Sequence, residues 1–117
     1  MNKKILLITT SRADYSQSKI LIKLFKKKYL KNFYLLVTGS HLSKKDGYTF
    51  KEIRNDGINV DFKVDILHKD KRYLKNTLQI ASNTFVKFEK FFSKFNPDML
   101  VILGDRFETL PIVYSAF

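Results

Sequence analysis

The chain has 117 residues, 44% of them hydrophobic, which suits one domain with its own core and excludes a disordered tail. It has no cysteine, so a disulfide scaffold, a thiolate nucleophile and a cysteine zinc site are excluded. Lys and Arg outnumber Asp and Glu by 22 to 11, a net charge of +11, but the excess is mostly lysine spread along helix-like faces. That describes a solvated basic surface better than a nucleic-acid groove, because no docking element accompanies the charge. An apolar run at residues 5–8 follows two lysines, as in a signal peptide, but Thr9, Thr10, Ser11 and Arg12 end it too soon. No apolar stretch reaches the roughly 20 residues of a membrane helix. The reading is a cytoplasmic protein with neither membrane nor nucleic-acid partner.

Residues 3–9 are nearly all apolar and predict a central parallel strand. A polar loop follows, and Asp14 with Gln17 predicts a capping box that opens a helix running to about residue 28. Ile20, Leu21, Leu24 and Phe25 are its expected buried face, with Lys19, Lys23, Lys26 and Lys27 outside. Residues 32–38 predict a second strand and 48–55 a short helix stopped by Gly57. Val60, Phe62, Val64 and Ile66 alternate with polar residues, which predicts an edge strand over 58–66. A charged loop over 68–72, with His68 structural or facing solvent, leads to a long helix over 73–95. Its expected core stripe is Leu74, Leu78, Ala81, Phe85, Phe88, Phe92 and Phe95. Asn96-Pro97 stops it, residues 98–103 predict a strand buried on both faces, and Phe107 begins another helix. Strands alternating with helices imply an α/β fold: a doubly wound, Rossmann-like parallel sheet in a single domain over residues 1–117.

Three polar clusters end three strands, at residues 9–16, 38–43 and 104–108. In a parallel sheet those ends share one edge, where ligands of such folds bind. The first cluster opens a helix, whose free N–H groups favour an anion; Arg12 would grip a phosphate or form a surface ion pair, and Ser16 would add a hydroxyl. Neither a G-x-G-x-x-G nor a Walker lysine motif is present. His41 would transfer a proton, bind a sugar hydroxyl or simply bond to the loop backbone. Asp105 is the leading catalytic candidate, as a base or orienting anion beside Arg106, against the plainer readings of ion pair or helix cap. Glu108 would reach the cleft or only favour the helix dipole. Two histidines far apart do not make a metal site.

Taken together, Thr10-Ser-Arg-Ala-Asp-Tyr-Ser16, Val37-Thr-Gly-Ser-His-Leu-Ser43, Asp56-Gly57 and Gly104-Asp-Arg-Phe-Glu108 stand in an order that resembles the hydrolysing UDP-N-acetylglucosamine 2-epimerases. The resemblance covers nearly the whole chain. It implies most of the N-terminal domain of a two-domain fold of the glycosyltransferase B type, with the second domain absent. It implies elimination of UDP from the sugar nucleotide to a glycal, followed by water addition with inversion at C2, giving N-acetylmannosamine or a related amino sugar for sialic or similar acid synthesis. It implies no metal or redox cofactor, and a homo-oligomer at full length. Asp105 matches the catalytic aspartate, His41 the histidine of the Gly-Ser-His-Leu motif, and Arg12, Ser16 and Arg106 residues near the UDP-sugar, with Glu108 in the same cluster. With one wall of the cleft, the 117-residue chain is expected to be inactive alone. The other readings are a non-catalytic nucleotide- or phosphate-binding half-domain and, further off, a basic nucleic-acid-binding domain.

Overall fold

The computed structural model describes residues 3–104 and 106–117. Its centre is a four-stranded parallel sheet of β1 (Ile5–Thr9), β2 (Phe33–Thr38), β3 (Phe62–Val64) and β6 (Met99–Ile102), in the order β3-β2-β1-β6. A separate antiparallel ribbon, β4 (His68–Lys69) with β5 (Arg72–Tyr73), stands where the charged loop was expected. Asp70 and Lys71 both take positive φ, the backbone that a tight two-residue hairpin with the twist of its strands requires. The helices are α1 (Arg12–Lys28), α2 (Phe50–Asn55), α3 (Thr77–Lys94) and α4 (Thr109–Ser115). Among the described residues, no helix is long and apolar enough to cross a membrane.

Helices cover both faces of the sheet, so each central strand is apolar on both sides. Leu7, Leu35 and Val37 pack with Tyr15 and Ile22 of α1 and Phe50 and Ile53 of α2. Leu6, Ile8 and Leu36 pack on the other face with Ile80 and Phe88 of α3 and Ile112 of α4. The doubly wound parallel reading is the observed one.

α1 is rotated from its expected orientation, and α3 keeps most but not all of its expected stripe. In α1 the buried residues are Asp14, Tyr15, Ser18 and Ile22, while Ile20, Leu21 and Leu24 are exposed. Asp14, Ser18 and Ile22 step by four, so anchoring Asp14 inward fixes the whole stripe. Of the expected stripe, Leu74 and Phe88 are buried and Phe92 and Phe95 pack on the core, joined by Ile80, Thr84 and Phe91, while Leu78 and Phe85 are exposed. Asn76 caps α3 by accepting from Leu78 N–H, so the helix begins four residues later than the apolar periodicity suggests.

The outer strands also differ. Only Phe62–Val64 of the expected edge strand pairs with β2, because Asp61 reaches across and accepts from Leu35 N–H at 2.8 Å, ending the ladder. β6 is not buried on both faces: it lies at the other edge, paired only with β1 among the described residues, and its four residues are exposed or half-buried.

Gly39 follows β2 at φ +66°, and a Cβ there would stand 2.6 Å from the Thr10 carbonyl oxygen. That oxygen accepts from Ser40 N–H at 3.0 Å and from the Ser40 hydroxyl at 3.2 Å, so the approach is part of the fold. Gly47 has φ +85° but open space around it. Gly47→Ala is expected to cost the ~1–2 kcal/mol of a left-handed residue. Gly39→Ala should cost clearly more, the difference reporting the contact with Thr10, as read by urea unfolding of both variants.

Candidate functional site

The sheet order places β1 between β2 and β6, so the chain winds away from β1 in opposite directions. The crevice at the carboxyl end of such a switch is where α/β proteins hold ligands. Its walls are the Thr9–Ser11 turn, the 3-10 turn Gly39–Leu42 and the segment around Gly104, Arg106 and Glu108.

The first wall is built on Asp14. The N-cap of α1 is Ser11, not Asp14, and the capping box closes between Ser11 and Asp14 rather than between Asp14 and Gln17. The correction has a clear cause. At the third helical position the Asp14 carboxylate meets Thr10 N–H at 3.0 Å, Ser11 N–H at 2.9 Å and the hydroxyls of Thr9, Thr10 and Ser11. An acid at the cap itself would reach fewer of these donors.

His41 belongs to the same network. It is fully buried, with Nε2 3.0 Å from the Thr9 hydroxyl and Nδ1 2.8 Å from the Thr49 hydroxyl. Thr9 gives its single hydrogen to Asp14, so towards His41 it can only accept. Nε2 therefore carries the proton, and Nδ1 accepts from Thr49. Burial pushes the imidazole down from its ordinary 6.5 to about 4, against the opposing pull of the Asp14 carboxylate and a Ser11 backbone contact. Both ring nitrogens are occupied in this geometry, by the hydroxyls of Thr9 and Thr49.

Arg12 and Ser16 lie on the side of α1 that faces α2. They line a groove of about 380 Å³ with Tyr15, Lys19, Glu52, Asn55 and Asp56. Arg12 is 70% exposed and pairs with Glu52 at 3.4 Å. Deeper in, the Tyr15 hydroxyl donates to Asp56 at 2.5 Å and Lys19 meets the same carboxylate at 3.1 Å. The tyrosine hydroxyl and the lysine hold Asp56 below the usual carboxylate range, while burial and then Asp56 raise Tyr15.

On the third wall, Arg106 Nε donates to Glu108 Oε1 at 2.6 Å. Glu108 is 2% exposed, and its Oε2 has no hydrogen-bond partner among the described residues; nor has the neighbouring Thr109 hydroxyl. A buried carboxylate oxygen left unmet costs free energy until a donor arrives. Asp105 lies outside the described residues.

The fold thus brings Arg12 and Ser16 into one groove, ties His41 to Asp14 and pairs Arg106 with Glu108. Among the described residues, no hydrogen bond or ion pair joins these three groups to one another. Sequence reasoning undervalued Asp14 and missed Thr9, Thr49, Tyr15 and Glu52. The run Thr9-Thr10-Ser11 before an acid was the available signal for a buried carboxylate. Among the described residues, no group of three or more His, Asp or Glu side chains is placed to hold a metal ion.

A family model described as UDP-N-acetylglucosamine 2-epimerase matches residues 24–117, from within α1 to the end of α4. The chain belongs to the UDP-N-acetylglucosamine 2-epimerase family. It is 32% identical over 112 residues to the GDP/UDP-N,N'-diacetylbacillosamine 2-epimerase (hydrolyzing) of Campylobacter jejuni, a match covering 94% of this chain and 28% of that protein. It is 30% identical over 108 residues to the UDP-N-acetylglucosamine 2-epimerase of Neisseria meningitidis, again 92% of this chain and 28% of the relative. The chain therefore spans a little over a quarter of the curated relatives it matches. A crystal structure of a UDP-N-acetylglucosamine 2-epimerase superimposes with a TM-score of 0.79 at 22% identity, covering 99% of this chain and 29% of that one. The Neisseria meningitidis enzyme bound to UDP-GlcNAc superimposes with a TM-score of 0.77 at 17% identity, covering 97% and 29%. These likenesses show that this chain folds as one portion of such epimerases.

The neutral, buried His41 makes stability depend on pH. Its folded value is depressed, so its contribution is full above about 6.5 and is lost as pH falls towards about 4. At 1.36 kcal/mol per unit, the loss is on the order of 3 kcal/mol. Urea unfolding across that window should show it, and His41→Gln should remove one proton's worth of the slope.

Proposed function

We propose that this chain forms the nucleotide-sugar-facing N-terminal part of a hydrolysing epimerase acting on a UDP-activated 2-acetamido sugar. The observation that carries the reading is the convergence of three motif-bearing segments at the switch-point crevice of a family member. The names of the Campylobacter jejuni and Neisseria meningitidis relatives support the substrate class. So does an Escherichia coli relative named polysialic acid biosynthesis protein P7, 30% identical over 116 residues.

The reaction has two halves. In the first, a base removes the proton from C2 as the C1–O bond breaks, giving a glycal and UDP. In the second, water adds across the double bond from the opposite face, giving the free 2-epimeric sugar. Asp105, next to Arg106 in the sequence, is assigned to proton transfer at the sugar. Arg106 and Arg12 stabilise the departing diphosphate. Ser16 adds a hydroxyl beside Arg12, and Glu108 offers its unmet oxygen to a substrate donor. His41 supports the reaction through the neutral hydrogen bonds that hold the turn after β2 against Thr9. A second domain facing this one would complete the cleft and carry most of the uridine contacts. The reaction as written needs no metal or redox group, and the absence of cysteine fits a reducing cytoplasm.

Calorimetric titration with UDP tests the reading on the chain itself. Binding is expected, weakened roughly tenfold or more by Arg12→Ala, the scale of a lost charge-assisted hydrogen bond. Salt-sensitive binding to DNA with none to UDP would overturn it in favour of a nucleic-acid-binding domain. UDP binding with no UDP released from UDP-N-acetylglucosamine identifies the half-domain that holds nucleotide without turnover. Where release is seen, Asp105→Asn should abolish it, and unchanged release would sink that assignment.

A further inference from the structure

The ribbon of β4 and β5 has two faces. On one, the rings of His68 and Tyr73 meet edge to face with centroids 5.3 Å apart. On the other, Lys69 and Arg72 stand directly opposite each other in the ladder, so both side chains leave the ribbon on the same side. Like charges in that relation destabilise a strand pair. The turn between them adds to the cost, because Asp70 and Lys71 hold φ of +52° and +69° without being glycine. Costly local geometry that the surrounding structure maintains is a pointer to function. Here it is maintained: Asn83 of α3, 6% exposed, donates to the carbonyl oxygens of Ile66 at 2.9 Å and His68 at 3.1 Å. Leu74 N–H donates to the Leu67 carbonyl at 2.7 Å and ties the two arms together at their base.

Between the ribbon and α3 lies a cavity of about 320 Å³, lined by both cations, by Gln79 and Ser82 and by the apolar Leu74 and Val86. Among the described residues no carboxylate and no aromatic ring lines it. Several other groove-lining cations are met within the chain. Arg12 pairs with Glu52 and Lys19 with Asp56, while Lys63 lies 4.1 Å from the centroid of the Phe50 ring and Lys45 5.2 Å from that of Tyr73. Among the described residues, Lys69 and Arg72 have neither an acid nor a ring, and Asp70 at the turn pairs with neither of them. An anion is the partner that would offset their repulsion. Two adjacent cations favour a dianion over a single carboxylate, and the planar fork of arginine beside the point charge of lysine suits a phosphoryl group. Gln79 and Ser82 then offer an amide and a hydroxyl to whatever the phosphate is attached to. With no ring to stack a base, that body is not a nucleobase.

We propose that this cavity binds a small phosphate monoester, with Lys69 and Arg72 holding the phosphate and Gln79 and Ser82 a hydroxyl-bearing body. The site uses none of the residues assigned to the nucleotide sugar, so it stands or falls separately from the reaction proposed above.

Amide NMR titration of the 117-residue chain with inorganic phosphate and with glycerol 3-phosphate, at neutral pH and fixed ionic strength, is the test. Saturable shifts are expected at residues 69, 72, 79 and 82 with both probes. Glycerol 3-phosphate should bind roughly threefold or more tightly than phosphate, the scale of one added neutral hydrogen bond. Arg72→Ala should weaken both probes about tenfold or more, the scale of a lost charge-assisted bond, and Gln79→Ala should remove only the advantage of the ester. Both side chains are exposed, and unchanged amide dispersion will show that each variant is folded. Arg12→Ala should leave the shifts at the ribbon intact. Three results would overturn the proposal: no saturable shift at the ribbon; shifts there that Arg72→Ala leaves unchanged, which would report diffuse attraction to a chain of net charge +11; or equal affinity for the two probes, which would make the cavity a bare-anion site.

Discussion

The Asp14 carboxylate is the constraint on which the rest of this architecture turns. It accepts from the backbone of Thr10 and Ser11 and from three hydroxyls at the end of β1. A buried carboxylate is tolerated only when its oxygens are met in this way. Meeting them has consequences at three scales. It fixes where α1 starts. It fixes the rotation of α1 about its axis, so that Tyr15, Ser18 and Ile22 enter the core and several aliphatic side chains do not. Through the Thr9 hydroxyl it fixes the tautomer of His41, which holds the turn after β2 in place.

The crevice is therefore assembled from the backbone outward. Gly39 lets the β2 turn approach Thr10 within hydrogen-bond distance, and His41 pins that turn from the other side through Thr9 and Thr49. Toward the margins lie Arg12 and Ser16, in the groove between α1 and α2, and Glu108, one of whose oxygens is unmet among the described residues. This division is compatible with the elimination proposed above, which asks for rigid walls and a small number of groups to handle the proton. The proteins that this chain resembles, over the portion of them that it spans, are named as 2-epimerases.

Much of the plan was legible in the residues. Continuous apolar runs mark β1 and β2 because both of their faces are covered, and the polar clusters after strands 1, 2 and 6 fall at one edge of the parallel sheet. The errors fall where burial is decided by a partner the local sequence does not name. Leu78 and Phe85 sit at helical spacing with Phe88 and Phe92, and no periodicity rule separates them from Ile80 and Thr84. The charged stretch around Asp70 reads as a loop because two left-handed residues in a row are not visible in composition.

By itself the sequence determined the class of fold, the sheet edge at which its polar clusters gather, and the family, because hydrophobic runs and short motifs are local properties of the chain. Only the tertiary structure decided which helix faces are buried, which acid is a structural anchor, and that His41 is a closed, neutral link. Each of those outcomes depends on donors and acceptors far apart in sequence meeting in a space without water, where an unmet polar group is too costly to keep.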